Sequence, residues 1–348
     1  MKALYSKYIL NFKEPGGTSR GILRSKETYF LKILDKDRIG IGECALFRGL
    51  SVDDRSDYEE KLQWLCNNIH LDLTFLLSEL LEFPSIQFGM EQALLSLKSK
   101  DPFVIYPSKF TQGHGNIVIN GLIWMGSTSF MQKQIEKKIK AGFKTLKLKI
   151  GAIDFKSEVE MIKSIRKDFS VNEIELRVDA NGAFQPGDAL EKLKRLSDFE
   201  LHSIEQPIKT DQWYEMADLC TNSPLPIALD EELIGVFKTM DKEKMLQIIR
   251  PQYIILKPSL IGGFKGSDEW INIAKRHNVV WWITSALESN IGLNAIAQYT
   301  YTLQTLIPQG LGTGSLFTNN IESPLKVDRG ALFYSKKQKW GDMDAFLI

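Results

Sequence analysis

The sequence has few cysteines and histidines, and their scarcity excludes several classes of site. Its three cysteines, Cys44, Cys66 and Cys220, are odd in number and far apart, which argues against a disulfide framework and a thiolate metal site. The four histidines form no HExxH or comparable ligand spacing, so a metal centre or catalytic triad built on histidine is not expected. We predict three reduced, mostly buried thiols.

Net charge and long apolar runs are also missing. The 348 residues carry 44 Lys and Arg against 43 Asp and Glu, a net charge of +1, so no global field favours nucleic acid or an anionic membrane as a partner. No apolar run approaches the roughly 18 residues that a membrane-spanning helix needs, and the N-terminal segment lacks the apolar core of a signal peptide. These absences predict a cytoplasmic protein with a small-molecule partner, no nucleic acid and no membrane. They leave open whether the chain forms a homo-oligomer.

The N-terminal part has the pattern of an α+β segment. Its predicted elements are strands at Leu4–Phe12 and Tyr29–Leu34 and helices at Asp53–Asn68 and Gln87–Ser99. Between the two strands, Glu14–Thr18 has the Pro-Gly-Gly signal of a flexible loop. We expect residues 1–110 to form a capping domain that residues 320–348 complete.

After this segment, short apolar strands alternate with amphipathic helices, the pattern of parallel β/α units. The predicted strands are Ile117–Leu122, Thr145–Ile150, Ile174–Ala180, His202–Glu205, Ile227–Asp230, Tyr253–Lys257, Val279–Ser285 and Gly310–Gly312. The predicted helices include Thr128–Ala141, Lys156–Lys167, Ala189–Leu196 and Ser267–His277. A doubly wound sheet would have fewer strands and a glycine-rich first turn. The predicted fold is therefore α/β, a modified TIM barrel of the (β/α)7β type over residues 111–319 with an α+β capping domain.

Charged residues on the predicted strands carry the functional hypothesis, because barrel strands are packed on both faces and buried charge is unfavourable. In Thr145–Ile150, apolar residues share one face and Lys147 and Lys149 share the other, so both ammonium groups point the same way. Taken alone, such a pair is usually a solvated lysine face. The following four strands change that balance, since each ends in an ionisable residue: Asp179, Glu205, Asp230 and Lys257.

The carboxyl ends of all barrel strands lie on one face, where TIM-barrel active sites are found, so we expect these side chains to converge. Asp179, Glu205 and Asp230 offer hard oxygen donors without a nearby His or Cys. This donor set favours Mg²⁺, with Mn²⁺ as a substitute, over zinc or copper. The metal would stabilise the charge that develops when a carbon next to a carboxylate loses its proton. Lys147 would pair with the same carboxylate.

Six motifs, KLKIG, RVDANGAF, SIEQPI, LDEEL, ILKPSLIGG and SALESNIG, resemble in sequence and order those of the enolase superfamily. Within it they resemble the muconate-lactonising subgroup, whose lysine bases work with Mg²⁺, and in particular the o-succinylbenzoate synthase family of menaquinone biosynthesis. The resemblance spans nearly the whole chain. It implies a syn-dehydration of a succinyl-hydroxycyclohexadiene carboxylate, with Lys149 as base and acid. Lys257 would stay protonated and stabilise the developing charge, including by a cation–π contact with the ring.

Further residues are assigned to the site by their place in these motifs or in the cap. Predicted substrate contacts are Ser285, Gly312, Phe47 and Arg48. Predicted partners that orient the metal ligands are Arg177, Asn181 and Glu231. We also expect Gly16 and Gly17 to let the first loop close and exclude water.

Two alternatives stay open on the sequence alone. An epimerase or N-acylamino acid racemase of the same superfamily would use Lys149 and Lys257 as opposed bases. Dipeptide epimerases of the subgroup carry a DxD motif on the eighth strand, where this chain has the small, neutral stretch Gly310–Phe317. A catalytically retired barrel that acts as a binding protein is the alternative from another class, and the intact set of lysines and carboxylates argues against it.

Overall fold

The computed structural model describes residues 1–18 and 21–342. The strands are β1 (Lys2–Thr18), β2 (Gly21–Asp35), β3 (Arg38–Cys44), β4 (Asn116–Val118), β5 (Gly121–Ile123), β6 (Thr145–Lys149), β7 (Glu175–Asp179), β8 (Ser203–Glu205), β9 (Ile227–Leu229), β10 (Tyr253–Leu256), β11 (Val280–Ile283), β12 (Leu325–Asp328) and β13 (Ala331–Tyr334). The α-helices are α1 (Tyr58–Asn68), α2 (Leu73–Glu79), α3 (Pro84–Lys98), α4 (Thr128–Lys140), α5 (Phe155–Asp168), α6 (Pro186–Ser197), α7 (Trp213–Asn222), α8 (Thr239–Ile249), α9 (Gly263–Arg276) and α10 (Asn290–Thr302). No helix in these ranges is long and apolar enough to cross a membrane.

The N-terminal part is an antiparallel sheet in the order β1-β2-β3, against which α1 and α3 pack. Glycine permits a close approach here, since a Cβ atom at Gly42 of β3 would lie 2.0 Å from the carbonyl oxygen of Gly89 on α3. The predicted flexible loop at Glu14–Thr18 is wrong, because these residues continue β1 beyond a register shift between Asn11 and Gly16. The two cap strands therefore form one long hairpin.

The first predicted helix also begins too early in the sequence. Residues 53–57 form turns, and α1 begins at Tyr58. Asp53 is buried and its carboxylate accepts hydrogen bonds from Ser85 at the start of α3, from the backbone nitrogen at 2.9 Å and from Oγ at 2.7 Å. Asp53 thus accepts hydrogen bonds from free donor groups at the start of α3 and does not belong to α1.

The barrel sheet contains seven parallel strands in the order β11-β10-β9-β8-β7-β6-β5. The predicted eighth strand at Gly310–Gly312 is reduced to isolated bridges. Gln309 accepts a hydrogen bond from the backbone nitrogen of Asn120 at 2.9 Å, and Gly310 donates one to the carbonyl of Ile283 at 2.8 Å. Because these residues bond to both edges of the sheet, they close the ring. The fold is the predicted modified TIM barrel with a cap.

Alternation along the barrel strands separates two environments. Leu146 and Leu148 of β6 point outward into the large apolar cluster shared with the surrounding helices, whereas Lys147 and Lys149 point inward, as predicted. A small apolar cluster comprises Ala228, Ile255 and Trp282. Polar side chains therefore occupy the inner face of β6 toward the carboxyl ends of the strands.

Four predicted barrel helices match α4, α5, α6 and α9 closely, but the predicted strand Ile117–Leu122 is two strands. β5 belongs to the barrel, while β4 pairs with β13 in a small antiparallel sheet with β12. The segment before β12 lies against the cap hairpin, where the backbone nitrogen of Lys13 donates to the carbonyl of Leu316 at 2.8 Å. The division into domains at residues 110 and 320 stays a prediction, and residues 343–348 lie outside the described ones.

The buried carboxyl group of Asp53 should make the stability of the protein depend on pH. Burial raises its pKa to about 6 from 3.8, although the hydrogen bonds from Ser85 oppose this. The folded state therefore holds a proton that the unfolded chain has lost, so this group's contribution to stability falls as the pH rises from about 4 to about 6. We expect Asp53→Asn to gain up to about 3 kcal/mol of unfolding free energy relative to the parent across that window. Urea unfolding of both proteins from pH 4 to pH 7 measures this difference, and parallel pH profiles would contradict the account.

Candidate active site

The register of the barrel strands places the predicted charged residues side by side. Lys149 on β6 pairs with Asp179 on β7, and Asp179 pairs with Glu205 on β8. Asp230 and Lys257 directly follow β9 and β10. All of these side chains are buried, as the pattern of charges on buried strands predicts.

Three lysines and three carboxylates form ion pairs with one another. Lys147 Nζ lies 2.9 Å from Asp179 Oδ2 and also pairs with Glu205. Lys149 Nζ lies 2.6 Å from the same Asp179 oxygen. Lys257 pairs with Asp230. The cluster is therefore balanced in formal charge.

Burial and ion pairing shift the pKa values of these groups in opposite directions. Burial alone would raise the pKa of Asp179, but Lys147 and Lys149 hold it below its usual value. For Lys257, burial acts to lower the pKa, and Asp230 and Glu205 together raise it above its usual value. In the paired state Asp179 is thus a carboxylate and Lys257 an ammonium group.

Glu205 differs from the two aspartates. Burial raises its pKa well above the usual value, and the negative charges of Asp179 and Asp230 add to the effect. Its Oε1 atom is buried and has no hydrogen-bond partner among the described residues. Such an oxygen, between two other carboxylates, fits a cation.

The donor set fits a hard divalent metal, since all three candidate ligands are carboxylates at the ends of adjacent strands. Across residues 1–18 and 21–342, no group of three acidic, His or Cys side chains is arranged as a ligand sphere. The ammonium groups of Lys147 and Lys257 pair with these carboxylates instead. The chemistry of the donors therefore fits Mg²⁺, and the geometry shown is that of the lysine-paired state.

Asn181 connects Lys149 to the carboxylates of Asp179 and Glu231. Its Oδ1 accepts a hydrogen bond from Lys149 Nζ at 2.7 Å, and its backbone nitrogen donates to Asp179 Oδ1 at 3.0 Å. Its Nδ2 donates to Glu231 Oε1 at 2.8 Å. Asn181 adopts a positive φ of 45°, a conformation that asparagine tolerates well. The structure thus brings Asn181 and Glu231 beside the cluster, and their predicted role in orienting ligands remains a prediction.

The guanidinium of Arg177 makes its contacts away from the cluster of lysines and carboxylates. It donates to Glu175 Oε1 at 2.8 Å and to the carbonyl of Pro308 at 3.0 Å, and it lies over the ring of Trp282. These partners lie at the start of β7, before the eighth-strand bridge and in the small apolar cluster, away from the carboxyl ends. These hydrogen bonds of Arg177 therefore lie toward the opposite end of the barrel, and its predicted role in orienting the metal ligands stays a prediction.

Gln206 is a site residue that the sequence analysis missed. Its Nε2 donates to Glu232 Oε2 at 2.8 Å, while its Oε1 accepts from the backbone nitrogens of Asp230 at 3.2 Å and Glu232 at 3.3 Å. Gln206 thus fixes the end of β8 relative to the end of β9, and with it Glu205 relative to Asp230. Its position in the SIEQPI motif was the available signal.

A network of hydroxyl and carboxylate groups lies near the end of β11. Ser285 Oγ donates to Glu288 Oε2 at 2.5 Å and accepts from Thr313 Oγ1 at 2.8 Å. Ser259 Oγ donates to the other Glu288 oxygen at 2.5 Å. Glu288 and Ser259 were missed, although both lie in the quoted motifs SALESNIG and ILKPSLIGG.

A cavity of about 480 Å³ lies over the cluster. It is lined by Lys147, Lys149 and Lys257, and by three of the predicted substrate contacts: Phe47, Ser285 and Gly312. The fourth, Arg48, is not among the lining residues. Its guanidinium instead lies 2.6 Å from Asp54 Oδ1 and pairs with Glu27. The structure therefore does not bring Arg48 to the cavity, because two neighbouring carboxylates hold it in the cap.

The cap hairpin covers the cavity through its far end. Lys13, Glu14 and Pro15 line the cavity. Beyond them, the backbone nitrogen of Met125 in the first barrel loop donates to the carbonyl of Gly17 at 3.2 Å. A Cβ atom on Gly17 would lie 2.4 Å from the carbonyl oxygen of Met125, so only glycine allows this approach. In the structure Gly17 docks the hairpin on the barrel, and the predicted closure of this loop stays a prediction.

Comparison with known proteins agrees with this architecture. Residues 131–337 match the enolase C-terminal domain-like family. An o-succinylbenzoate synthase of Desulfotalea psychrophila is 47% identical over 95% of this chain and 98% of that protein. The crystal structure of MenC from Desulfotalea psychrophila has a TM-score of 0.86 at 44% identity and covers 96% of this chain and 99% of that chain. The substrate-liganded L-Ala-D/L-Glu epimerase from Bacillus subtilis has a TM-score of 0.83 at 20% identity over 98% of both chains, a likeness in fold alone.

Glu43 on β3 joins the cap to the barrel and was also missed. Its buried carboxylate accepts hydrogen bonds at the start of α10, from Ser289 Oγ at 2.5 Å and from the backbone nitrogen of Gly292 at 2.8 Å. A carboxylate at a helix N-terminus satisfies free amide groups and complements the helix dipole. Nearby, burial lowers the pKa of Lys26, whereas the charges of Glu43 and Glu288 act to raise it.

We expect Glu43→Gln to lower the free energy of unfolding by about 2 kcal/mol, because it removes the charge that accepts these hydrogen bonds and balances Lys26. Urea denaturation measures the loss. Glu60→Gln on the exposed face of α1 is the matched control, since it removes a carboxylate from the cap surface. Equal stability of the two variants would contradict the role given to Glu43.

Proposed function

This chain belongs to the enolase C-terminal domain-like family, and from that premise we propose that it is an o-succinylbenzoate synthase. In this proposal it is a cytoplasmic lyase of menaquinone biosynthesis. It removes water from a hydroxycyclohexadiene carboxylate that carries a succinyl arm. The observation that carries the proposal is the balanced cluster of three buried lysines and three buried carboxylates beneath a cavity, in a chain with 47% identity to a named o-succinylbenzoate synthase.

Asp179, Glu205 and Asp230 would hold Mg²⁺, or Mn²⁺ in its place, through hard oxygen atoms. When bound, the metal supplies a Lewis acid for the negative charge that develops on the substrate's ring carboxylate. Lys147 contributes a second positive charge, since its ammonium group already contacts Asp179 at 2.9 Å and lies at the cavity wall. The ring carboxylate is thereby oriented with its neighbouring carbon above the strand ends.

Lys149 is the proposed base and acid. Acting as a neutral amine, its Nζ takes the proton from the carbon next to the ring carboxylate, and the electron pair of that C–H bond moves onto the carboxylate group. The ammonium so formed returns the proton to the departing hydroxyl group, the electron pair forms the new double bond of the ring, and water leaves from the same face as the C–O bond breaks. Asn181 Oδ1 and Asp179 Oδ2 hold Nζ at 2.7 Å and 2.6 Å, which fixes its position for both steps.

Lys257 is the proposed charge stabiliser. It follows β10, lines the cavity and pairs with Asp230. The negative charges around it raise its pKa against the effect of burial, which supports a protonated side chain throughout the reaction. An ammonium group in a site shielded from water stabilises developing negative charge strongly.

Three measurements test these roles. We expect Lys149→Ala to lower turnover by about a thousandfold or more, because it removes the proton-transfer group. Lys257→Arg keeps the charge but changes its position, and we expect a loss of at least about tenfold. Dialysis of the parent protein against EDTA should abolish turnover, and added Mg²⁺ should restore it. The absorbance of the aromatic product measures turnover in the two variants and in the dialysed protein.

Lys167→Ala on the exposed face of α5 is the control and should retain parental turnover. A parent protein that forms no aromatic product with Mg²⁺ present would contradict the proposal and favour a binding protein. Exchange of deuterium from D₂O into both enantiomers of N-acylamino acids, without dehydration, would favour a racemase instead.

A further inference from the structure

The cavity has an unequal distribution of charge. Besides the three lysines of the ion-paired cluster, four more lysines line it: Lys13 from the cap hairpin and Lys133, Lys137 and Lys138 from α4. Among the described lining residues, Glu14 is the one carboxylate. The inner lysines are balanced by Asp179, Glu205 and Asp230, whereas the outer four face a formal excess of positive charge.

Lys133 and Lys137 share one face of α4, because positions four apart on a helix point in similar directions. Lys138 lies on the neighbouring face with the buried residues Met131 and Ile135, and its side chain also lines the cavity. In a complete (β/α)8 barrel, a helix after the eighth strand would pack beside the first one. Here residues 311–324 contain no helix, and the three lysines of α4 line the cavity.

Within residues 1–18 and 21–342, none of the four outer lysines forms an ion pair with a carboxylate. Lys138 lies 4.8 Å from the ring centre of Phe143, and its stem packs against the backbone of Gly121. Burial lowers its pKa, and the neighbouring charge of Lys137 adds to the effect. A row of positive charges with this repulsion would be stabilised by an anion.

We propose that Lys133, Lys137 and Lys138 form the subsite for the carboxylate at the end of the substrate's succinyl arm, with Lys13 above it. This inference rests on the proposed function, which gives the substrate two carboxylates. The ring carboxylate belongs at the strand ends, and the arm carboxylate needs a second cationic site. Leu122, Gly312 and Leu316 line the same cavity and provide a neutral wall for the methylene groups between them.

The test uses the double variant Lys137→Gln/Lys138→Gln in the full-length protein. We expect its KM to rise by about tenfold with little change in kcat, because two partly exposed charge pairs are lost and the reacting groups are untouched. The effect should shrink at high salt. Lys140→Gln, an exposed lysine of α4 outside the cavity lining, is the matched control and should leave KM unchanged. Lys137→Arg/Lys138→Arg should restore most of the affinity.

A binding measurement separates this inference from the proposed function. By calorimetry, the double variant should bind o-succinylbenzoate about tenfold more weakly than the parent, and a benzoate with a neutral acyl arm of equal length should bind both proteins equally. An unchanged affinity for o-succinylbenzoate, or an equal loss for both compounds, would overturn the inference. A parent protein without dehydration activity would refute the proposed function, and the two-ligand comparison would still decide whether the lysines select an arm carboxylate.

Discussion

The rest of the site depends on charge pairing inside the barrel. Lys147, Lys149 and Lys257 are buried with Asp179, Glu205 and Asp230, and an uncompensated charge at this depth would be strongly destabilising. The register of the strands places charged residues of neighbouring strands side by side. Asn181 and Gln206 then hold the strand ends in place. The arrangement places hard oxygen donors and ammonium groups on one surface without requiring a histidine or a thiolate. Pairing thus makes the buried site tolerable to the fold and also useful for proton transfer beside a carboxylate.

The same barrel has no helix after its eighth strand, and this gives the site its access. The eighth strand is reduced to the bridges at Gln309 and Gly310, and residues 311–324 form no helix. The cap hairpin covers the resulting space by docking Gly17 against Met125, and Glu43 fixes the cap to the start of α10. The cavity therefore extends from the ion-paired lysines to the outer face of α4. A substrate with a charged group at each end fits this distribution better than one with a single charge.

Much of this architecture follows from the sequence, because buried strands make the face of each residue predictable. Alternation in Thr145–Ile150 separates Leu148 from Lys149, and motif order places the carboxylates on successive strands. The sequence does not reveal side-chain contacts that no local pattern encodes. Arg177 shares a strand face with Asp179, yet its long side chain runs to Glu175, and Arg48 is held by Glu27 and Asp54 across the cap. The lysines of α4 gave no sequence signal of a site, because the missing eighth helix is a property of the whole barrel.

The central claim is that the three carboxylates are balanced by lysines in this structure and are ligands for a divalent cation in the working protein. Glu205 decides the matter, because among the oxygens of the three carboxylates its Oε1 is the buried one without a hydrogen-bond partner in the described part of the chain. Calorimetric titration of Mg²⁺ into the parent protein and into Glu205→Gln is the most direct measurement. The account predicts a single Mg²⁺ per parent chain and binding at least about tenfold weaker in the variant. Equal affinity in the two proteins, or no binding to the parent, would contradict it.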